Sequence, residues 1–125
     1  MLHHVSLGTS DIDRARRFYD PVMAVLGLRR TIDVAEAVGY GAGITVFSLN
    51  LPADGARASA GNGTHVAFEV EHHAAVDRFF AVALAQGGTG DGPPGLRPEN
   101  DAHYHTAFVR DPDGNKIETL TFAAG

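Results

Sequence analysis

Three residues of types that bind divalent metal ions lie on three separate predicted strands of this chain. His4 and His65 occupy the same place in two similar stretches, residues 4–7 and 65–68, and Glu118 lies on the last predicted strand. Two imidazoles and a carboxylate match the ligand set that binds divalent iron, manganese or similar ions and leaves coordination positions open. A buried glutamate is costly unless it is paired or metal-bound. We therefore predict a metal site formed by His4, His65 and Glu118, for Fe²⁺, Mn²⁺, Zn²⁺ or Ni²⁺.

The two histidine-bearing stretches belong to a longer internal repeat with an offset of 61 residues. The same offset places residues 17–19 (Arg-Phe-Tyr) on residues 78–80 (Arg-Phe-Phe), and Gly27 on Gly88. Similarity that continues through a strand, a helix and a terminating glycine indicates a duplicated supersecondary unit. The repeat strengthens the metal hypothesis, because equivalent strands related by a pseudo-twofold axis can bring their histidines together.

Size and composition limit the classes of protein that this chain can represent. Its 125 residues are enough for one domain with a real core, predicted to span 1–125. The chain has no cysteine, which excludes disulfides, thiolate metal sites and cysteine nucleophiles. A net charge of −5 without a basic cluster argues against nucleic acid and anionic membranes as partners. No apolar run approaches the roughly 18 residues that a membrane span needs, and no signal peptide is recognisable at the N-terminus. We therefore expect a cytoplasmic protein.

Hydrophobic periodicity divides the chain into two βαβββ-like halves, module 1 at about 1–54 and module 2 at about 62–125. In module 1 a strand at 2–7 precedes a helix that Ser10 or Asp11 can cap, with a kink or restart expected at Pro21 and an end at Gly27. The other predicted segments of the chain are strands at 29–34, 36–41 and 44–51, a linker at 52–63, a strand at 64–70, a helix at about 73–86, a Gly/Pro loop at 90–101, and a hairpin of strands at 105–110 and 115–122.

The remaining histidines have simpler interpretations than metal binding. His3 should face the helix side or solvent, and His72 and His73 open a helix, where exposure is the simplest expectation. His103 and His105 flank Tyr104 near the Gly/Pro loop, where they could reach the rim of a pocket.

The chain resembles members of the vicinal oxygen chelate superfamily, which includes glyoxalase I, extradiol dioxygenases, fosfomycin-resistance enzymes and bleomycin-resistance proteins. The resemblance spans essentially the whole chain and rests on residues 4–7, the helix opening at 11–19, residues 63–68 and the Asp-Pro-Asp-Gly-Asn-Lys-Ile-Glu segment at 111–118. It implies an α+β fold in which two βαβββ modules form curved mixed sheets around a central cleft. In that family the ligands lie on the first strand of each module and on the last strand, which here carry His4, His65 and Glu118.

Departures from the family patterns bear on the reaction. Residues 44–51 offer no carboxylate, histidine or glutamine as the fourth ligand usual in glyoxalase I-like members. Extradiol dioxygenases usually have a tyrosine ten residues before the glutamate, where this chain has Phe108. We take Tyr104 as the candidate proton donor or substrate hydrogen-bonding group, and Arg97, Tyr104 and Phe108 as candidate substrate-binding residues.

The resemblance implies a divalent-metal-dependent enzyme acting on a small oxygen-chelating substrate, as a dioxygenase or as an isomerase or lyase. A homodimer is expected, with modules pairing within or between chains. Two alternatives stay open: a non-catalytic small-molecule binding or resistance protein of the bleomycin-resistance type, and a structural module whose histidines serve only as hydrogen-bonding groups.

Overall fold

The computed structural model describes all 125 residues. Each half of the chain contains one helix and four strands, in the order strand, helix, strand, strand, strand. The elements of module 1 are β1 (Val5–Gly8), α1 (Ile12–Val25), β2 (Arg29–Val34), β3 (Ala37–Gly41) and β4 (Thr45–Asn50). Those of module 2 are β5 (His65–Glu69), α2 (His73–Ala85), β6 (Thr89–Leu96), β7 (His105–Arg110) and β8 (Lys116–Thr121).

The two sheets have the same topology, with strand orders β1-β4-β3-β2 and β5-β8-β7-β6. In each, the first strand of the module lies parallel to the last one, and the other pairs are antiparallel. The predicted α+β fold of two βαβββ modules is thereby confirmed, and both sheets are open. In module 2 the pairing sets His65 on the edge strand β5 beside the central strand that carries Glu118.

Local signals in the sequence set the helix ends. Asp11 has an extended backbone, and its carboxylate accepts a hydrogen bond from the Arg14 backbone N–H, as an N-cap residue does. Gly27 and Gly87 follow the two helices with φ of 77° and 98°, a backbone conformation that glycine adopts without steric cost.

Of the kink or restart predicted at Pro21, the restart does not occur, because α1 is one helix with Pro21 inside it. Phe18 and Val22, before and after the proline, are both fully buried, so the two halves of the helix pack on the same core. The carboxylate of Asp20, the residue before Pro21, accepts a hydrogen bond from the Tyr40 hydroxyl and pairs with Arg30, so it does not cap a helix start.

The Gly/Pro loop predicted at 90–101 was wrong for its first part, because Thr89–Leu96 forms β6. This strand lies at the edge of its sheet and pairs with β7 through two register shifts, between Gly90 and Gly92 and between Gly92 and Gly95. Edge strands and irregular pairing are the places where a sheet tolerates proline, which explains how Pro93 and Pro94 fit.

A single core joins the two modules. Its 15 buried residues come from both helices and from the helix-facing sides of both sheets. The helices pack against each other as well as on their own sheets, and Phe47 of β4 meets Phe68 of β5 edge to face with 5.3 Å between ring centroids. The opposite sheet faces, which carry the candidate site residues, therefore lie on the outside of the chain.

No helix in the structure combines the length and apolar character that crossing a membrane requires.

Candidate functional site

Glu118 is a buried carboxylate at the centre of the second sheet. It lies in the middle of β8, opposite Ala67 on β5 and Phe108 on β7, and its relative exposure is 3%. Ile117 next to it faces the helices and belongs to the core, so the alternation of the strand directs Glu118 to the other face. Burial of a carboxylate requires compensating hydrogen bonds or charges.

Three side chains supply those hydrogen bonds, and they divide the two carboxylate oxygens between them. The Nε2 atom of His65 lies 3.1 Å from Oε1. The Thr106 hydroxyl donates to Oε2 over 2.6 Å, and the Tyr104 hydroxyl donates to the same oxygen. The carboxylate is thus paired with groups of its own module even without a metal, which meets one of the two conditions under which burial of a glutamate is not costly.

His4 lies apart from this network. It precedes β1, and its Nδ1 atom lies 2.9 Å from Nδ1 of His3. Both histidines line a cleft of 530 Å³ on the first sheet. The floor of this cleft is uncharged and polar, with the Ser6 and Ser48 hydroxyls 2.7 Å apart and the Asn50 amide donating to Ser48. Within one chain, no three His, Asp or Glu side chains are close enough together to hold a metal ion.

The His65–Glu118 pair nevertheless suits a divalent ion. Imidazole nitrogen and carboxylate oxygen bind such ions at about 2.0–2.2 Å, so two neighbouring ligand atoms at right angles lie about 3 Å apart. The Nε2–Oε1 distance of 3.1 Å agrees with that spacing. The His65 side chain is 43% exposed, so an ion can reach the pair from the open face of the sheet. Two of the three predicted ligands are therefore adjacent.

The predicted substrate-binding residues are placed unequally around this pair. The centroid of the Phe108 ring lies 6.0 Å from that of the His65 ring. The Lys116 ammonium also contacts Phe108, at 4.9 Å from the centroid of the phenyl ring. Arg97 donates to the carbonyl groups of Leu96 and Pro93 at the end of β6 rather than to Glu118.

Tyr104 is held between a carboxylate and an aromatic ring. Its ring packs against Phe122 with 5.3 Å between centroids, while its hydroxyl bonds Glu118. Burial raises the pKa of the phenol above its ordinary value, and the hydrogen bond and negative charge of Glu118 act in the same direction. The hydroxyl therefore keeps its proton and serves as a donor.

Two of the remaining histidines, His73 and His105, contact each other on the helix side of the second sheet. His105 faces the helix side, where its ring stacks on His73 at 4.0 Å and its Nε2 lies 3.1 Å from Asp77. His73, which was expected to be exposed, is half-buried and also bonds the carbonyl group of Ala123. His105 is thus turned away from the face that carries Glu118, and the rim position considered from the sequence does not apply to it.

Sequence reasoning missed Thr106 as a member of the site. It precedes Phe108 by two residues on β7 and follows Tyr104 by two, so the three share one face of the strand. That alternation was a usable signal. What the sequence did not reveal is that the Thr106 hydroxyl reaches the neighbouring strand.

The turn before Glu118 joins the two modules. Asp113 accepts hydrogen bonds from the Thr9 hydroxyl, the Ser10 backbone N–H and the Arg14 guanidinium, all at the start of α1. The buried Tyr19 hydroxyl donates to Asp111 over 2.6 Å. This turn therefore fixes the start of β8 against module 1.

Comparisons with known proteins agree with this architecture. The family model described as Glyoxalase/Bleomycin resistance protein/Dioxygenase superfamily matches residues 1–119. A crystal structure of a glyoxalase/bleomycin resistance protein from Albidiferax ferrireducens T118 is 33% identical, with a TM-score of 0.88 over 94% of this chain and 96% of that one. No match was found among curated proteins.

Two more distant structures share the fold. A glyoxalase/bleomycin resistance protein/dioxygenase family enzyme from Burkholderia phytofirmans is 23% identical, with a TM-score of 0.75 over 98% of both chains. A lactoylglutathione lyase from Agrobacterium tumefaciens is 22% identical, with a TM-score of 0.67 over 97% of this chain and 92% of that one.

Two βαβββ modules on one shared core define an α+β fold class, and one fold class can serve several chemistries. Within it, this chain belongs to the Glyoxalase/Bleomycin resistance protein/Dioxygenase superfamily.

Proposed function

We propose that the protein is a divalent-metal-dependent enzyme that acts on a small substrate with two neighbouring oxygen atoms, as a dioxygenase or as an isomerase or lyase. The observation that carries the proposal is the contact between His65 and the buried Glu118, because its 3.1 Å spacing and its donor types suit an ion such as Fe²⁺, Mn²⁺, Zn²⁺ or Ni²⁺.

The third ligand in this proposal is His4, supplied by the second subunit of a homodimer. In one chain His4 lies in the cleft of the first sheet, and no group of three metal-binding side chains exists. Since both helices and both sheets share one core, the sheet faces that bear His4 and Glu118 point outward. A twofold axis would set the first sheet of each subunit against the second sheet of the other.

A divalent ion held there would supply Lewis acidity to the substrate oxygens. The residues of the chain provide the surroundings. Phe108 offers a flat apolar contact beside His65. Tyr104 donates its hydroxyl hydrogen bond to Glu118, so its oxygen lone pairs remain available to accept a hydrogen bond from the substrate. A role as proton donor to substrate requires that its bond to Glu118 break first.

Metal analysis of variants of the untagged protein tests both the ligand set and its division between subunits. We expect near-stoichiometric metal in the wild type and loss of metal in His4→Ala and in Glu118→Gln. His72→Ala is the matched control, since His72 is an exposed histidine outside the proposed site and makes no capping hydrogen bond with its side chain. Metal content that is unchanged in His4→Ala would exclude His4.

Mixing the His4→Ala and Glu118→Gln proteins then separates the two arrangements. If ligands come from different subunits, each mixed dimer has one intact site, so about a quarter of all sites recover after random reassociation. If one chain supplies all three ligands, no site recovers. Sedimentation should show twice the 13.2 kDa chain mass, and a species of only one chain mass would remove the dimer.

The alternative function is a metal-free binding or resistance protein of the bleomycin-resistance type. The hydrogen bonds of Glu118 favour it, because His65, Tyr104 and Thr106 already satisfy the carboxylate. Small-molecule binding that is unchanged by a chelator, with no metal taken up under any loading condition, would select this function.

A further inference from the structure

The two oxygens of Glu118 have different surroundings. Oε1 faces only the His65 ring, on the open side of the sheet. Oε2 receives two hydroxyl groups, from Tyr104 and from Thr106. A carboxylate oxygen has two in-plane lone pairs, so two donors occupy Oε2 completely.

From this geometry we infer that Tyr104 and Thr106 are positioning residues that reserve Oε2, so that Glu118 binds the metal through Oε1 alone. The inference rests on the proposed function, and it adds the coordination mode of the ligand. A carboxylate that binds through both oxygens would have to give up two hydrogen bonds with a charged acceptor, which are the stronger kind. Holding Oε2 back would leave Oε1, beside the exposed His65 ring, as the oxygen available to a metal.

Thr106 is the more constrained of the two residues. It is 1% exposed, and its hydroxyl also lies 3.1 Å from the carbonyl oxygen of Thr119. A threonine hydroxyl has only one proton to donate. Its preferred acceptor is Oε2 of Glu118, which is charged and lies closer, at 2.6 Å. The Thr106 side chain therefore has little freedom to release Glu118.

Thr119 offers a matched control for Thr106. It is fully buried on the same strand as Glu118, next to it in sequence, and its hydroxyl has no hydrogen-bond partner. Valine has nearly the same shape as threonine, so replacing either Thr106 or Thr119 by valine removes one buried hydroxyl. Of the two threonine hydroxyls, only that of Thr106 contacts the Glu118 carboxylate.

The test compares Co²⁺ binding to the wild type, Thr106→Val, Thr119→Val and Tyr104→Phe by titration calorimetry, together with the visible spectrum of bound Co²⁺. Loss of a group that orients a metal ligand typically weakens binding about 10- to 100-fold. We expect Thr106→Val and Tyr104→Phe to weaken Co²⁺ binding at least about tenfold and to change the spectrum as Oε2 becomes free to coordinate. Thr119→Val should bind as the wild type does.

The outcomes separate this inference from the proposed function. Wild-type affinity and an unchanged spectrum in both Thr106→Val and Tyr104→Phe would overturn the positioning role and leave the metal site standing. An equal loss of affinity in Thr106→Val and Thr119→Val would also overturn it, because general damage to the core would then explain both. A wild-type protein that binds no Co²⁺ would overturn the proposed function and this inference together.

Discussion

Replacing Glu118 by glutamine tests the electrostatics of the site most directly. Glutamine can place its carbonyl oxygen where Oε2 accepts from Tyr104 and Thr106, and can turn its amide toward His65. The fold should therefore survive. The three hydrogen bonds change from charge-assisted to neutral, at a loss of about 1 kcal/mol each. The lower desolvation cost of an amide offsets part of this.

The net expectation is that metal-free Glu118→Gln is less stable than the wild type by about 1–2 kcal/mol. For a chain of this size that lowers the Tm by about 4–8 °C. If Glu118 were unpaired beside Leu120 and Phe122, neutralising it would instead remove a desolvation cost, and the change would be neutral or slightly stabilising. The hydrogen bonds in the structure reverse the sign.

Thermal melts of both proteins, each with and without metal, measure this prediction. At a metal concentration about 100 times the Kd, the wild type should gain about 2.7 kcal/mol, and the variant much less. A metal-free variant that melts at or above the wild-type temperature would refute the account of Glu118 as a satisfied buried carboxylate. An equal metal-induced rise in both proteins would refute its role as a ligand.

Three further predictions concern the elements that hold the modules in place. Tyr19→Phe removes a buried donor to Asp111 and should cost about 2 kcal/mol in urea denaturation, whereas an unchanged midpoint would show that this bond contributes nothing. Burial raises the pKa of Asp111, so its contribution to stability is full below the unfolded pKa and declines as pH rises through the folded value. Asp111→Asn should abolish this part of the pH dependence of the Tm. The hydrogen bond from the Arg14 backbone N–H lowers the pKa of Asp11 from its ordinary value of 3.8. Asp11→Ala should therefore have a lower Tm than the wild type above pH 3.8. This difference in Tm should vanish as the pH falls through the folded pKa of Asp11.

The fold was largely predictable because its signals are local and occur twice. Alternation marked the strands, and helical periodicity marked the helices, with Gly27 as the predicted end of the first one. The prediction was wrong for residues 90–96, because glycines and prolines normally indicate a loop. This segment is a strand only because it pairs with β7. Tertiary contacts decided the outcome there.

The candidate site was predictable only in part. The positions of His65 and Glu118 on parallel neighbouring strands follow from the module topology, and the structure brings the two side chains together. The hydrogen bonds of Tyr104 and Thr106 to Glu118 depend on side-chain reach between strands, which no periodicity encodes. The place of His4 in an assembled site depends on a second subunit and stays a prediction.

The common core of the two repeats has a consequence for the origin of the chain. Phe18 and Phe79, which occupy equivalent positions 61 residues apart, are both completely buried in the same cluster. A single βαβββ unit would leave much of this surface open to water, and a chain of about 60 residues has little other core to offset that loss. An ancestral half-length polypeptide would therefore have needed a twin to fold against. Gene duplication and fusion would have turned that contact between two molecules into the interior of one, freeing the outer sheet faces to diverge separately.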